Sequence, residues 1–129
     1  MTIQQVDVEI IRPLRSLVLR PGLPIEFTDY DRDKEFQTLH YANIINQKVC
    51  SIATFYPEPI LEVEALVAYR LRGMATHPNY RRQGLASSVM LQAMADIQKL
   101  GGDLLWCKAR LVAIDSVSYT HLRAHETRF

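Results

Sequence analysis

The chain is poor in the residues that build metal centres, disulfide frameworks and hinges. Among 129 residues there are only two cysteines and five glycines. Cys50 and Cys107 each lie inside an apolar, strand-like run, with no CxxC and no second ligand at metal spacing, so they read as reduced core thiols. Charge of one sign is also lacking: 15 Lys and Arg stand against 14 Asp and Glu, a net charge of +1. That excludes the large positive field of a nucleic-acid binder. No apolar run is long enough to span a bilayer, and the opening MTIQQVDVEI has no basic start followed by an apolar stretch. A soluble, cytoplasmic protein without membrane or nucleic-acid partners is the expectation. Repeats, low-complexity segments and linkers are absent, the longest Pro/Gly cluster being the turn Pro21-Gly22-Leu23-Pro24. What is present is 48% hydrophobic and 22% charged residues, the balance of one globular domain.

Local patterns give a coarse element order. Val6–Ile11 alternates as a short strand, and Pro13 sits where a first helical turn tolerates it, opening a helix over Leu14–Leu19 that ends before Pro21. After the acidic turn Asp29-Tyr30-Asp31-Arg32-Asp33, the runs Phe36–Ile44 and Val49–Tyr56 form a hairpin joined at Asn46-Gln47-Lys48. Pro57 and Pro59 break the second strand, and Val67–Thr76 fits a third long one, stopped by His77-Pro78-Asn79-Tyr80. Phe36, Tyr41, Phe55, Tyr56 and Trp106 fall in strand-like runs and read as core. From Leu85 the apolar spacing changes to about 3.6, with Leu85, Val89, Ala93, Ile97 and Leu100 on one helical face. Gly101-Gly102 stops that helix, and Asp103–Cys107 follows as a buried strand.

Between the third strand and this helix lies Arg81-Arg82-Gln83-Gly84-Leu85-Ala86, preceded by Met74-Ala75-Thr76-His77-Pro78. A glycine turn at a helix start leaves backbone N–H groups unpaired where the helix dipole also favours negative charge. It is a ready site for a pyrophosphate. Gly84 has no Cβ to block phosphate oxygens, Ala86 and Ser87 keep the first turn narrow, and Arg81 and Arg82 add positive charge. No Gly-Lys-Ser/Thr follows the glycine, which disfavours a Walker-type phosphate loop. A loop with solvated arginines and a helix-starting glycine is the alternative.

Strand, R-x-x-G-x-G/A and amphipathic helix together resemble the acetyl-CoA motif of the GNAT superfamily of N-acetyltransferases. Arg81, Gly84 and Ala86 fill its fixed positions. The resemblance implies an α+β fold with a mixed, mostly antiparallel sheet flanked by helices, and a ligand in the splay between two strands. It also implies acetyl-CoA as co-substrate, its pyrophosphate held by the amides of Arg82, Gln83, Gly84, Leu85, Ala86 and Ser87. Main-chain groups of Met74, Ala75 and Thr76 would pair with the pantetheine arm and the acetyl carbonyl, Gly73 being suited to a bulge there. The activity implied is acetyl transfer to a primary amine of a small molecule or peptide, with a second copy of the chain, as a homodimer, the further partner expected.

Such transfer needs a neutral amine, a group to take its proton and N–H donors for the oxyanion. Glu62 and Glu64, just ahead of the third strand, are the carboxylate candidates for the base, with solvated surface acids as the alternative. Arg70 and Arg72 alternate on one strand face and could meet an anionic substrate group. His77, before a proline, reads as a turn residue.

The family pattern continues as A-R-x-x-A-x-x-F-Y, with the tyrosine commonly assigned as general acid for the thiolate. Ala109-Arg110-Leu111-Val112-Ala113 begins it, but Ser116 and Val117 stand where Phe and Tyr belong. Residues Val117–Thr127 instead resemble the translation of a transposase-type sequencing-library adapter, one reading frame of which encodes those eleven residues in order. The expectation is therefore an incomplete acetyltransferase domain over 1–115, its last helix and strands missing or replaced, and a non-native tail over 116–129. Two rivals follow: an acyl-CoA-binding module without turnover, and a fragment whose exposed sheet edge prevents stable folding.

Overall fold

A computed structural model describes the backbone of residues 2–112 and 118–128 and the side chains of residues 2–108. The chain forms one sheet in sequential order from β1 to β6, antiparallel at every step except between β4 and β5. Its strands are β1 (Thr2–Val6), β2 (Leu39–Ile45), β3 (Lys48–Pro57), β4 (Ala68–Thr76), β5 (Leu104–Val112) and β6 (Ser118–Arg128). Helix α1 (Val8–Leu19) crosses from β1 towards β2, and α2 (Leu85–Lys99) makes the β4–β5 crossover. The mixed, mostly antiparallel α+β expectation holds.

The two helices cover opposite faces. Val8, Ile11 and Leu14 of α1 pack on Ala42, Ile52 and Ala75, while Val89, Ala93 and Ile97 of α2 pack on Leu39, Tyr41, Ala53, Phe55 and Tyr69. Covered on both sides, β3 is buried without interruption from Cys50 to Tyr56, so it shows no polar alternation. Cys50 is buried and Cys107 partly buried.

The N-terminal expectation is corrected. The strand is Thr2–Val6, and the helix begins at Val8 with Pro13 inside it rather than at its start. Val6, Val8 and Ile10 do alternate, but Val8, Ile11, Leu14 and Arg15 also recur at helical spacing, and those four are the buried ones. Asp7 holds an extended conformation at the N-cap, and the Ile10 amide bonds its carbonyl. Pro13 removes one interior hydrogen bond, a loss the buried face outweighs.

Phe36 is likewise not core: it is 101% exposed, because residues 31–37 form turns and a bend and β2 begins only at Leu39. The hairpin is as expected, but its turn is two residues rather than three, Lys48 already belonging to β3: Asn46 and Gln47 are both at positive φ (48° and 66°), the primed geometry that matches strand twist. Leu100 leaves the α2 stripe, being 59% exposed. The stop at Gly101-Gly102 is a paired cap: Gly101 adopts φ +94°, its amide bonds Gln98 O, and the Gly102 amide bonds Ile97 O.

Beyond β5, residues 118–128 pair antiparallel with it from Leu104–Arg128 to Val112–Ser118. The edge of β5 expected to be exposed is thus occupied by β6. Ser116 and Val117 lie outside the described residues.

Candidate functional site

The site is built where β4 leaves β5. Their parallel pairing covers Ala68–Leu104, Tyr69–Leu105 and Arg70–Trp106 and then ends, so from Leu71 to Thr76 the β4 ladder has β3 as its partner among the described residues. At that point β4 carries an extra residue. Ile52 faces Ala75 and Thr54 faces Arg72, leaving Ala53 opposite both Gly73 and Met74. Gly73 has φ +71°, the left-handed conformation of such a bulge. A Cβ there would come 2.8 Å from Tyr30 Cε2 and 3.3 Å from Arg15 Nε, so glycine is required by space as well as by φ.

The side chains that follow Gly73 are already committed to packing. Met74 lies against the α2 core and Ala75 is buried in the α1 core, while Thr76 Oγ1 meets Ser51 Oγ at 3.0 Å. What this stretch offers a ligand is main chain.

His77-Pro78-Asn79-Tyr80 then forms a short turn in which His77 Nδ1 accepts the Asn79 amide at 3.1 Å. His77 is a capping residue, as its position before proline suggests. Arg82 follows at φ +64° and Gly84 at φ +75°, placing two left-handed residues ahead of α2. The helix's own bonding starts with the Ser88 amide on Gly84 O at 3.1 Å. The amides of Leu85, Ala86 and Ser87 therefore have no acceptor within the helix, and the glycine N-cap supplies no side chain to cap them. No acidic residue sits in that first turn to oppose an anion.

An open cleft of about 210 Å³ lies over these amides, lined by Thr76, Tyr80, Arg81, Arg82, Gly84, Leu85, Ala86 and Ser87. Most of the residues proposed from sequence are brought together here. Gln83 is exposed on the same loop without lining the cleft, and Met74 and Ala75 reach it only along the strand. A Cβ on Gly84 would meet nothing within 4 Å, so the protein leaves that approach open. Tyr80 was missed by sequence reasoning. Its ring stands edge-on to His77 at 5.7 Å, and only its place directly before Arg81 signalled it.

Glu62 and Glu64 are not brought to the cleft. Both are exposed in the connection between β3 and β4, at the opposite end of β4 from Thr76. Arg70 and Arg72 do share one face of β4. Arg70 Nη1 pairs with Glu58 at 2.9 Å and its guanidinium lies 5.2 Å from the Trp106 ring, whereas Arg72 stacks over Tyr30 at 4.3 Å.

The titratable groups whose affinities are shifted serve the framework. Burial, opposed by a bond to the Asp33 carbonyl, pushes the His40 imidazole below its ordinary value. Tyr41 is pushed well above the usual phenol range, chiefly by burial and then by its 2.7 Å bond to Asp96, which ties β2 to α2.

A bulged strand splaying from its parallel neighbour, followed by an amide-rich turn into a crossover helix, defines the acyl-CoA-dependent N-acetyltransferase class. Comparison with known proteins agrees. The family model described as Acetyltransferase (GNAT) family matches residues 9–117. The chain is 32% identical over 108 residues, 84% of its length and 72% of the relative's, to the "Uncharacterized N-acetyltransferase YitI" of Bacillus subtilis (strain 168). Among solved structures it superposes on AAC(6')-Iy in complex with a CoA bisubstrate analogue at TM-score 0.71, with 16% identity over 84% of this chain and 78% of that one. A probable N-acyltransferase from Enterococcus faecalis V583 matches at TM-score 0.68 and 18% identity, over 86% of this chain but only 30% of that longer one. The chain belongs to the GNAT family of acetyltransferases. Among the described residues no helix is long and apolar enough to cross a membrane.

Proposed function

We propose that the chain binds acetyl-CoA with its pyrophosphate on the loop Arg82–Ser87 and its pantetheine arm along Met74–Thr76, and passes the acetyl group to a primary amine. The observation that carries this is the row of amides at Leu85, Ala86 and Ser87 without an acceptor in the helix, set beside two arginines and reached from a bulged strand edge. Backbone N–H groups at a helix N-terminus suit a pyrophosphate, and the strand edge freed from β5 suits the amide groups of pantetheine.

In the reaction, the neutral amine attacks the thioester carbonyl carbon and the C–S bond breaks as the tetrahedral intermediate collapses. Main-chain N–H at the β4 bulge stabilises the oxyanion. The amine gives up one proton, and the CoA thiolate leaves and is protonated. Glu62 and Glu64 remain the named carboxylates for the base, but both are exposed at the far end of β4 from the cleft. We assign that proton to water at the β4 bulge. Replacing both with Gln then leaves the rate unchanged, whereas a true base would cost about 10²–10⁴-fold.

The test is release of CoA thiol on mixing the chain, acetyl-CoA and a panel of small amines and peptide N-termini. Amine-dependent release above the uncatalysed rate supports transfer. Binding of CoA without such release would make the chain an acyl-CoA-binding module.

We further propose that residues 116–129 are not part of the family domain, on the ground that 117–127 match an adapter translation; the family-model match, residues 9–117, takes in residues 116 and 117. Sequencing the 3′ end of the gene decides this: genomic reads running through Val117 would refute it.

A further inference from the structure

The face of β4 that carries Arg70 and Arg72 holds a cluster of arginines and aromatic rings. Arg15 is fully buried, its Nη1 and Nη2 paired bidentately with Asp33 at 2.7 and 3.1 Å, with further bonds to Thr28 O and Thr54 Oγ1. Arg32 pairs with Glu35 at 3.0 Å and approaches Glu58 at 3.6 Å, and Arg70 pairs with Glu58 at 2.9 Å. Arg72 differs. Partly buried, it has neither an ion pair nor a hydrogen bond among the described residues, its contact being the Tyr30 ring at 4.3 Å. Arg15 lies 3.9 Å from the same ring, so a tyrosine anchored by a buried guanidinium that is ion-paired to Asp33 holds a second one without an ion pair among the described residues. Four arginines on this face meet three carboxylates, Asp33, Glu35 and Glu58, and the surplus positive charge is at Arg72.

The position of that charge is informative. Arg72 directly precedes the Gly73 bulge, just past the last β4–β5 pair at Arg70–Trp106. If acetyl-CoA runs along Met74–Thr76 from the pyrophosphate loop, as proposed above, its acyl end arrives beside Arg72. A guanidinium without an ion pair at that point attracts an anionic group of the acceptor. With its Cζ over the Tyr30 ring and no hydrogen bond among the described residues, Arg72 keeps N–H groups for a ligand, and the planar fork of a guanidinium suits a carboxylate.

We propose that the acceptor is an amine carrying a carboxylate, and that Arg72, held by Tyr30, is the residue that recognises it. This rests on the acetyl-CoA placement, and the test separates the two. The chain is first titrated calorimetrically with CoA. The CoA-saturated protein is then titrated with glycine, β-alanine and γ-aminobutyrate, with the carboxamide of each, and with an aminoalkyl phosphate. At least one acid is expected to bind about 10-fold or more tighter than its amide, the range of a charge-assisted hydrogen bond. Arg72→Gln should erase that difference and leave CoA affinity unchanged, and Arg72→Lys should restore part of it. Equal binding of acids and amides, an unchanged preference in Arg72→Gln, or tighter binding of the phosphate would overturn the carboxylate assignment. Failure of CoA to bind in the first titration overturns the cofactor placement instead, before any amine is added.

Discussion

Replacing Gly84 by valine separates what the backbone needs from what the ligand needs. Gly84 sits at φ +75°, where an L-residue costs about 1–2 kcal/mol, and a Cβ there meets no protein atom within 4 Å. The folded state should lose only that strain, a fall in Tm of about 4–10 °C for a domain of this size. Binding should suffer more. The branched side chain would occupy the space through which phosphate oxygens reach the Leu85, Ala86 and Ser87 amides, and one charge-assisted bond to an amide is worth about 1.5–3 kcal/mol. Loss of a single such bond weakens CoA by about 10- to 150-fold. Gly22 provides the matched control: it has φ +79°, equally open space around its Cβ position, and a place in the turn that follows α1. Gly22→Val should repeat the loss of stability and leave CoA affinity intact. Calorimetric titration of both variants, with melting curves for each, gives the comparison. Equal CoA affinity in the two would refute the assignment of the loop.

Other perturbations probe the framework under the site. Gly73→Ala combines strain at φ +71° with a 2.8 Å approach to Tyr30, so a loss of about 2–4 kcal/mol in urea unfolding is expected. Arg15→Met leaves the buried Asp33 carboxylate unpaired and should cost about 3–5 kcal/mol, much of it recovered when Asp33→Leu is added; additive losses would show the two are not coupled. His40 is buried, and its folded-state affinity for protons is lowered. The unfolded chain therefore binds the proton better. Its contribution is fully present above the unfolded value of about 6.5 and is lost as pH falls below it, with a slope of at most about 1.4 kcal/mol per pH unit. His40→Asn should remove that part of the acid slope, and an unchanged slope would place its origin elsewhere.

Much of this arrangement could be read in advance because it is local. Gly84, the turn before it and the α2 stripe lie within one continuous segment, and the bulge at Gly73 follows from a glycine in a strand leading into that turn. The α1 boundaries were misread because Val6–Ile11 satisfies two periodicities at once, and only the packing of Ile11, Leu14 and Arg15 under the sheet selects the helical one. Phe36 reads as strand by composition, yet the turns of the acidic segment keep it outside the core. The arginine cluster was out of reach for a different reason. Arg15 bonds Asp33 eighteen residues away and Thr54 thirty-nine away, so its burial depends on which elements meet. Arg72 was legible as a candidate for an anion, but its isolation emerged only once Asp33, Glu35 and Glu58 were seen paired with other arginines.

The most direct test of the acetyl-CoA site is amide NMR of the uniformly ¹⁵N-labelled chain titrated with CoA. The account predicts that the largest shifts fall on the amides of Arg82–Ser87 and Met74–Thr76 and saturate together at one stoichiometric site. It also predicts slowed hydrogen exchange at Leu85, Ala86 and Ser87, the amides left without acceptors at the start of α2. Saturating shifts confined to other elements, with these residues unmoved, would contradict it.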